Sequence, residues 1–135
     1  MRIRALKNRQ FARWAKSEQL TDQALCIAIR EIERGLVDAK LGGFLLKKRI
    51  AKGHKGKSGG LRTIIAYRQE HRLAFLFGFA KREKANIDHA EKQALLELGN
   101  VYMAMSENDL NEAIRTGTLL EVACDDEEEK EPAPE

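Results

Sequence analysis

From residue 39 to residue 69 the chain carries nine Lys or Arg residues (Lys40, Lys47, Lys48, Arg49, Lys52, Lys55, Lys57, Arg62 and Arg68), one His and no acid. A one-signed run of this kind suits a polyanion partner. Standing alone, it is as readily a solvated face. Lys52, His54, Lys55 and Lys57 fall among four glycines, a composition that predicts a loop able to follow a phosphate backbone. Arg62 stands at the start of the β-branched run 61–68, where a strand would hold it rigidly. A fixed arginine suits phosphate recognition because its planar fork donates two parallel hydrogen bonds. A second cluster, Lys81-Arg82-Glu83-Lys84, follows the apolar run 73–80. If runs 61–68 and 73–80 pair as an antiparallel meander, the end of one lies beside the start of the other. Lys81 and Arg82 then approach Arg62.

Other chemistries find less support. Gly56-Lys57-Ser58 resembles the end of a nucleotide phosphate loop, but Ala51 stands where the first glycine belongs, and a strand rather than a helix follows. His54 has the titration range of a general base, although a solvated loop histidine is the plainer reading. His71 falls in a turn and His89 in the first turn of a helix, with no partner visible in sequence. No Ser/His/Asp set, carboxylate pair or metal-ligand spacing occurs. The acid-free centre argues against a magnesium-dependent nuclease, which needs carboxylate ligands, and no cofactor or metal is expected.

The elements that must position these residues follow from periodicity and caps. Residues 2–5 suit a short opening edge strand. Residues 7–17 read as a helix with Phe11, Trp14 and Ala15 on one side. Thr21 or Asp22 caps a second helix, whose Leu25, Ala28, Ile29, Ile32 and Leu36 form one apolar face, with Gly35 near its end. Residues 44–51, 61–68 and 73–80 read as three strands, the last central because it is almost continuously apolar. Strand alternation sets Arg62, Ile64, Ala66 and Arg68 on one face, expected to be an open floor for nucleic acid, and Thr63, Ile65 and Tyr67 on the other, against helices. Asp88 with Glu91 forms a capping box for a helix with Ala94, Leu95, Leu98, Val101, Tyr102 and Met105 on its apolar side. Ser106 and Asp109 start a shorter helix, Gly117 ends it, and residues 118–123 form a last strand or arm. The order β-α-α-β-β-β-α-α-β predicts an α+β domain, with an N-terminal helical hairpin and C-terminal helices on a small antiparallel sheet.

At 135 residues and 43% apolar, the chain is sized for one domain. Its net charge of +3 is asymmetric: residues 125–135 hold seven acids and one Lys, which leaves +9 on residues 1–124. Residues 1–124 are therefore expected to form the domain and 125–135 a disordered acidic tail. Cys26 and Cys124 are too few for a disulfide framework, which fits a reducing cytosol. The basic N-terminus lacks the apolar run of a signal peptide, and no run is long enough to span a bilayer.

The stretch LGGFLLKKRIAKGHKGKSGGLRTIIAYRQEHRLAFLFGFAKREKANI, residues 41–87, resembles the RelE/ParE superfamily of toxins from bacterial type II toxin–antitoxin pairs, and more narrowly its RelE-like, HigB-type branch. The likeness rests on the strand motif Gly59-Gly60-Leu61-Arg62 and the later Phe79-Ala80-Lys81-Arg82 ahead of the last helices, and extends over most of residues 1–123. The resemblance implies a compact fold of helices over an antiparallel sheet. It also implies a cytoplasmic, metal-independent endoribonuclease that cuts mRNA on the ribosome and leaves a 2′,3′-cyclic phosphate. By motif, Arg62, Lys81 and Arg82 carry over as catalytic residues. Lys52, Lys55 and Lys57 carry over in kind, as the variable basic loop, and with Lys48, His54 and Lys84 they are the expected RNA-binding residues. The implied partners are mRNA, the ribosome and a cognate antitoxin with a DNA-binding domain, through which alone operator DNA would be reached. Many relatives have a Tyr or His near the C-terminal strand, whereas residues 118–124 here read TLLEVAC. Tyr67 and Tyr102 are assigned to packing. That departure keeps two rivals in view: a ParE-like inhibitor of DNA gyrase, and a nucleic-acid-binding regulator without chemistry.

Overall fold

The computed structural model describes residues 3–51 and 60–124. The loop lysines, His54 and the acidic tail lie outside the described residues. The elements run β1 (Arg4–Asn8), α1 (Arg9–Ser17), α2 (Asp22–Glu33), β2 (Ala39–Gly42), β3 (Leu45–Ile50), β4 (Leu61–Arg68), β5 (Arg72–Ala80), α3 (His89–Ala104), α4 (Glu107–Arg115) and β6 (Leu119–Glu121). One six-stranded sheet has the order β2-β3-β4-β5-β1-β6. The α+β class is as expected, and β3-β4-β5 is the antiparallel meander expected.

Local signals set the helix ends. Asn8 and Thr21 accept from the backbone N–H groups of Phe11 and Ala24 at the starts of α1 and α2. Asp88 and Glu91 close the capping box of α3, and the Ser106 hydroxyl accepts from Asp109 N–H to start α4. Each satisfies donors that the first helical turn leaves without partners.

Both sheet faces are covered. On one, Phe11, Ala15, Leu25, Ala28, Ile29 and Ile32 of α1 and α2 pack against Leu46, Ile50, Ile65, Leu73 and Phe75. On the other, Leu95 and Met103 of α3 and Leu110 and Ala113 of α4 meet Leu45, Ile64, Ala66, Ala74, Leu76 and Phe79. Trp14 of α1 lies directly on the backbone of β5, where a Cβ on Gly78 would stand 2.1 Å from its ring.

Three expectations are corrected. The sheet is mixed, because β1 runs parallel to β5 while β6 returns antiparallel along its other side. The opening strand is therefore interior rather than an edge. A four-residue strand, β2, precedes β3; the turn between them uses Gly42 at φ +104° and Gly43 at φ +54°, which glycine adopts without the steric cost other residues meet. Finally, Cys26 and Cys124 form one disulfide across a separation of 98 residues, with Cα atoms 5.6 Å apart. The pairing arises because Val122 N–H donates to Ala5 C=O, which draws the chain after β6 along β1, and Lys7 of β1 pairs with Asp22 at the start of α2. Among the described residues no helix is long and apolar enough to cross a membrane.

Candidate functional site

The sheet end formed by the last residues of β3, the first of β4 and the last of β5 gathers the candidate cations. Ile50 pairs with Leu61 and Leu61 with Ala80; one step inward, Arg49 pairs with Arg62 and Arg62 with Phe79. Lys81 and Arg82 leave the sheet beside Leu61. Lys52, His54, Lys55 and Lys57, expected at the site, lie outside the described residues.

Arg62 is 6% exposed. Its Nη1 donates one long hydrogen bond, 3.4 Å, to Gly60 C=O, and among the described residues it has no ion pair. A buried guanidinium with five donors is costly to leave without a counter-ion, and an anion bound here would use the donors that the described residues leave free. Arg49 stands directly across the ladder with its side chain 44% exposed; its amide donates to Asp38 and its Nε lies 3.8 Å from the same carboxylate. Like charges opposite each other on adjacent strands destabilise a sheet, which makes this pair a second sign of an anion site. Arg49 is a candidate that sequence reasoning did not single out; its register with Arg62 brings it to this sheet end.

The floor beside the arginines is aromatic. A register shift between Ile64 and Ile65 opens a bulge at Leu76 and Phe77, so both side chains face α3 and α4. The Leu76 carbonyl left by the bulge accepts from Asn8 Nδ2 at 3.1 Å, while the same side chain caps α1. Phe77 and Phe79 have ring centroids 6.0 Å apart, and Lys84 Nζ sits over the Phe77 ring at 5.8 Å. Lys84 also pairs with Glu91, whose carboxyl is held below its ordinary range chiefly by that bond. The expectation of an open floor is corrected here. Ile64 and Ala66 are fully buried, because Gly99 lets α3 settle until its missing Cβ would be 3.2 Å from Ala66 Cβ.

Lys81 is exposed and has no ion pair among the described residues. Arg82, 62% exposed, reaches Glu18 at 3.5 Å. Glu18 is a buried acid at the end of α1 that the acid-free window 39–69 gave no means of placing here. Lys48, expected among the RNA-binding residues, lies inside the fold. Alternation turns it toward α2, where at 3% exposure its Nζ meets Glu31 and Leu36 C=O, each at 2.7 Å. Its charge is used inside the fold.

Several residues fall elsewhere. Burial raises the phenol pKa of both Tyr67 and Tyr102, as befits packed tyrosines. A cleft of about 380 Å³ between the end of α2, the β2–β3 turn and Tyr67 lies at the opposite end of β4 from Arg62. Among the described residues no group of His, Cys, Asp or Glu is arranged to hold a metal ion.

The arrangement is thus a cationic sheet end, with a buried arginine that has no ion pair among the described residues, an exposed Lys-Arg pair and an aromatic floor. A family model described as the RelE toxin of the RelE/RelB toxin–antitoxin system matches residues 1–122. No curated protein matches the chain. With that match over nearly all of the described chain, and with the α+β fold, the protein belongs to the RelE toxin family.

Proposed function

We propose that this toxin is a metal-independent endoribonuclease of the HigB-type branch, acting in the cytoplasm on mRNA held by the ribosome and neutralised by a cognate antitoxin. The observation that carries the reading is Arg62, a buried guanidinium whose hydrogen-bonding capacity is almost unused among the described residues. In the reaction the ribose 2′-oxygen attacks the adjacent phosphorus, the P–O5′ bond breaks, and a 2′,3′-cyclic phosphate and a 5′-hydroxyl result. Charge builds on the non-bridging oxygens, where preorganised donors give the largest benefit. Arg62 holds the scissile phosphate, and Lys81 and Arg82 stabilise the developing charge from the strand end. Arg49 joins Arg62 as a further phosphate ligand. Lys84 over Phe77 lines the path of the flanking nucleotides. The base that takes the 2′-proton belongs to the set His54, Lys52, Lys55 and Lys57.

Arg62→Met tests this reading without the ambiguity of a cavity. It should lower cleavage of translated mRNA in a cell-free system by roughly 10²-fold or more, the scale of losing one charge-stabilising donor. Because it removes an uncompensated buried charge, it should leave the melting temperature unchanged or raise it. Full cleavage by a folded Arg62→Met protein would remove Arg62 from the site.

A further inference from the structure

The outer face of α1 carries charge that neither the fold nor the proposed reaction uses. Its sequence, RQFARWAKS, holds three cations and no acid. Arg9, Arg13 and Lys16 recur at intervals of four and three, so they lie on one side of the helix, and all are exposed. None has an ion pair among the described residues. The opposite side is committed to the core through Phe11, Ala15 and Trp14.

This placement works against the helix. Like charges three and four apart repel, each pair by about as much as an opposite pair would stabilise. Arg9 also sits in the first turn, against the positive end of the helix dipole. The other helices obey the opposite rule: Asp22 opens α2, Glu91 falls in the first turn of α3, and Glu107 and Asp109 open α4. A nine-residue helix that gives up stability in this way presents the charge to something outside the fold.

The ridge also leads to the site. Asn8 bonds to Leu76, Trp14 lies on Gly78 and Glu18 meets Arg82, so α1 runs along β5 toward the cationic sheet end. From Arg9 to Lys16 the axis rises about 10.5 Å. The exposed residues of α1 (Arg9, Gln10, Arg13, Lys16 and Ser17) are all polar, and the large exposed apolar residues, Ile27, Leu36, Val101 and Leu120, lie on other segments. A protein interface needs an apolar centre, which this ridge lacks, whereas cations with amide and hydroxyl donors are what phosphate oxygens take.

The geometry points to the Arg9–Arg13–Lys16 face of α1 as a second RNA-docking surface, which grips a phosphodiester backbone outside the cleavage site and leads it toward Arg82. This extends the ribonuclease reading and rests on it for the identity of the cleaved strand.

The test uses the full chain and a fluorescent single-stranded RNA of mixed sequence, with affinity measured against KCl concentration. Replacing Arg9, Arg13 and Lys16 by Gln removes three contacts, so the log–log salt slope should fall by about 2 units for single-stranded RNA. The affinity advantage of the unmodified chain over the variant should shrink about 20-fold between about 50 and 200 mM salt. The melting temperature should hold or rise as like-charge repulsion is relieved, and Arg13→Gln alone supplies a smaller change of the same sign. Arg62→Met, measured alongside, should lose cleavage yet keep most of the slope. An unchanged slope in the triple variant, or no RNA binding by the unmodified chain, overturns the docking surface while leaving the Arg62 reading to its own cleavage assay. Loss of antitoxin binding with RNA binding intact overturns it in favour of a protein partner. Absent cleavage with a reduced slope would overturn the ribonuclease reading and keep the surface.

Discussion

At Arg62, 6% exposure and a single 3.4 Å hydrogen bond describe a group whose desolvation nothing inside the described fold offsets. Its position on a strand was legible in the sequence, from the β-branched run that follows it. Its burial was not, because strand alternation sets a face without saying whether that face is covered, and Gly99 admits α3 onto the same face at Ala66. Lys48 was misread for a related reason: two adjacent residues of a strand face opposite sides, and a count of cations does not say which are turned inward. Gly78 is the other residue on which the site's frame depends. A Cβ there would lie 2.1–2.5 Å from three atoms of the Trp14 ring. Gly78→Ala should therefore cost about 2 kcal/mol through overpacking, measured by denaturant unfolding, and Trp14→Leu should recover part of that loss. If Gly78→Ala costs nothing, Trp14 does not pack as described.

Among the elements, those fixed by local chemistry were the readable ones. The caps at Thr21, Asp88 with Glu91, and Ser106 are where sequence places them, as are the bounds of β4. The apolar side of α3 was displaced, because a count of large apolar residues includes Val101, which is 56% exposed, and overlooks Gly99, on which the helix turns. The α3–α4 corner depends on Arg72, 1% exposed, which donates to the carbonyls of Tyr102 and Met105 and to Glu107. It supplies the cation that the last turn of α3 lacks. The Arg72 hydrogen bond, helped by Arg4, holds the Glu107 carboxyl below its ordinary range. A group with a depressed folded pKa adds stability that is fully present above its unfolded value and is lost as pH falls through the folded one. The gap in melting temperature between the unmodified chain and Glu107→Gln should therefore be largest near neutrality. It should close as pH falls from about 6 to about 3. A constant gap would mean that the corner does not depend on this charge.

For the whole molecule, the α+β class was readable but the closure of the sheet was not. The parallel pairing of β1 with β5 joins residues almost seventy positions apart, for example Leu6 with Ala74, and no local pattern encodes it. The same closure brings Cys124 to Cys26. A bridge closing a loop of this size stabilises by at most about 4.7 kcal/mol in the chain-entropy description. Dithiothreitol or Cys26→Ser should lower the unfolding free energy by a few kcal/mol, up to about that value. An oxidised, bridged sample with the same stability as the reduced one would show that the C-terminal strand needs no tether.

On the proposed function, the cationic sheet end cuts mRNA only where the ribosome presents it. The most direct measurement is the mapping of mRNA 5′ ends after induced expression in bacteria, on one message in a translated form and in a form lacking its start codon. Such cutting gives new 5′-hydroxyl ends at repeated positions within codons of the translated message, none in the untranslated one, and a rapid fall in protein synthesis. Stalled DNA synthesis with intact mRNA, or equal cutting of both messages, would contradict it.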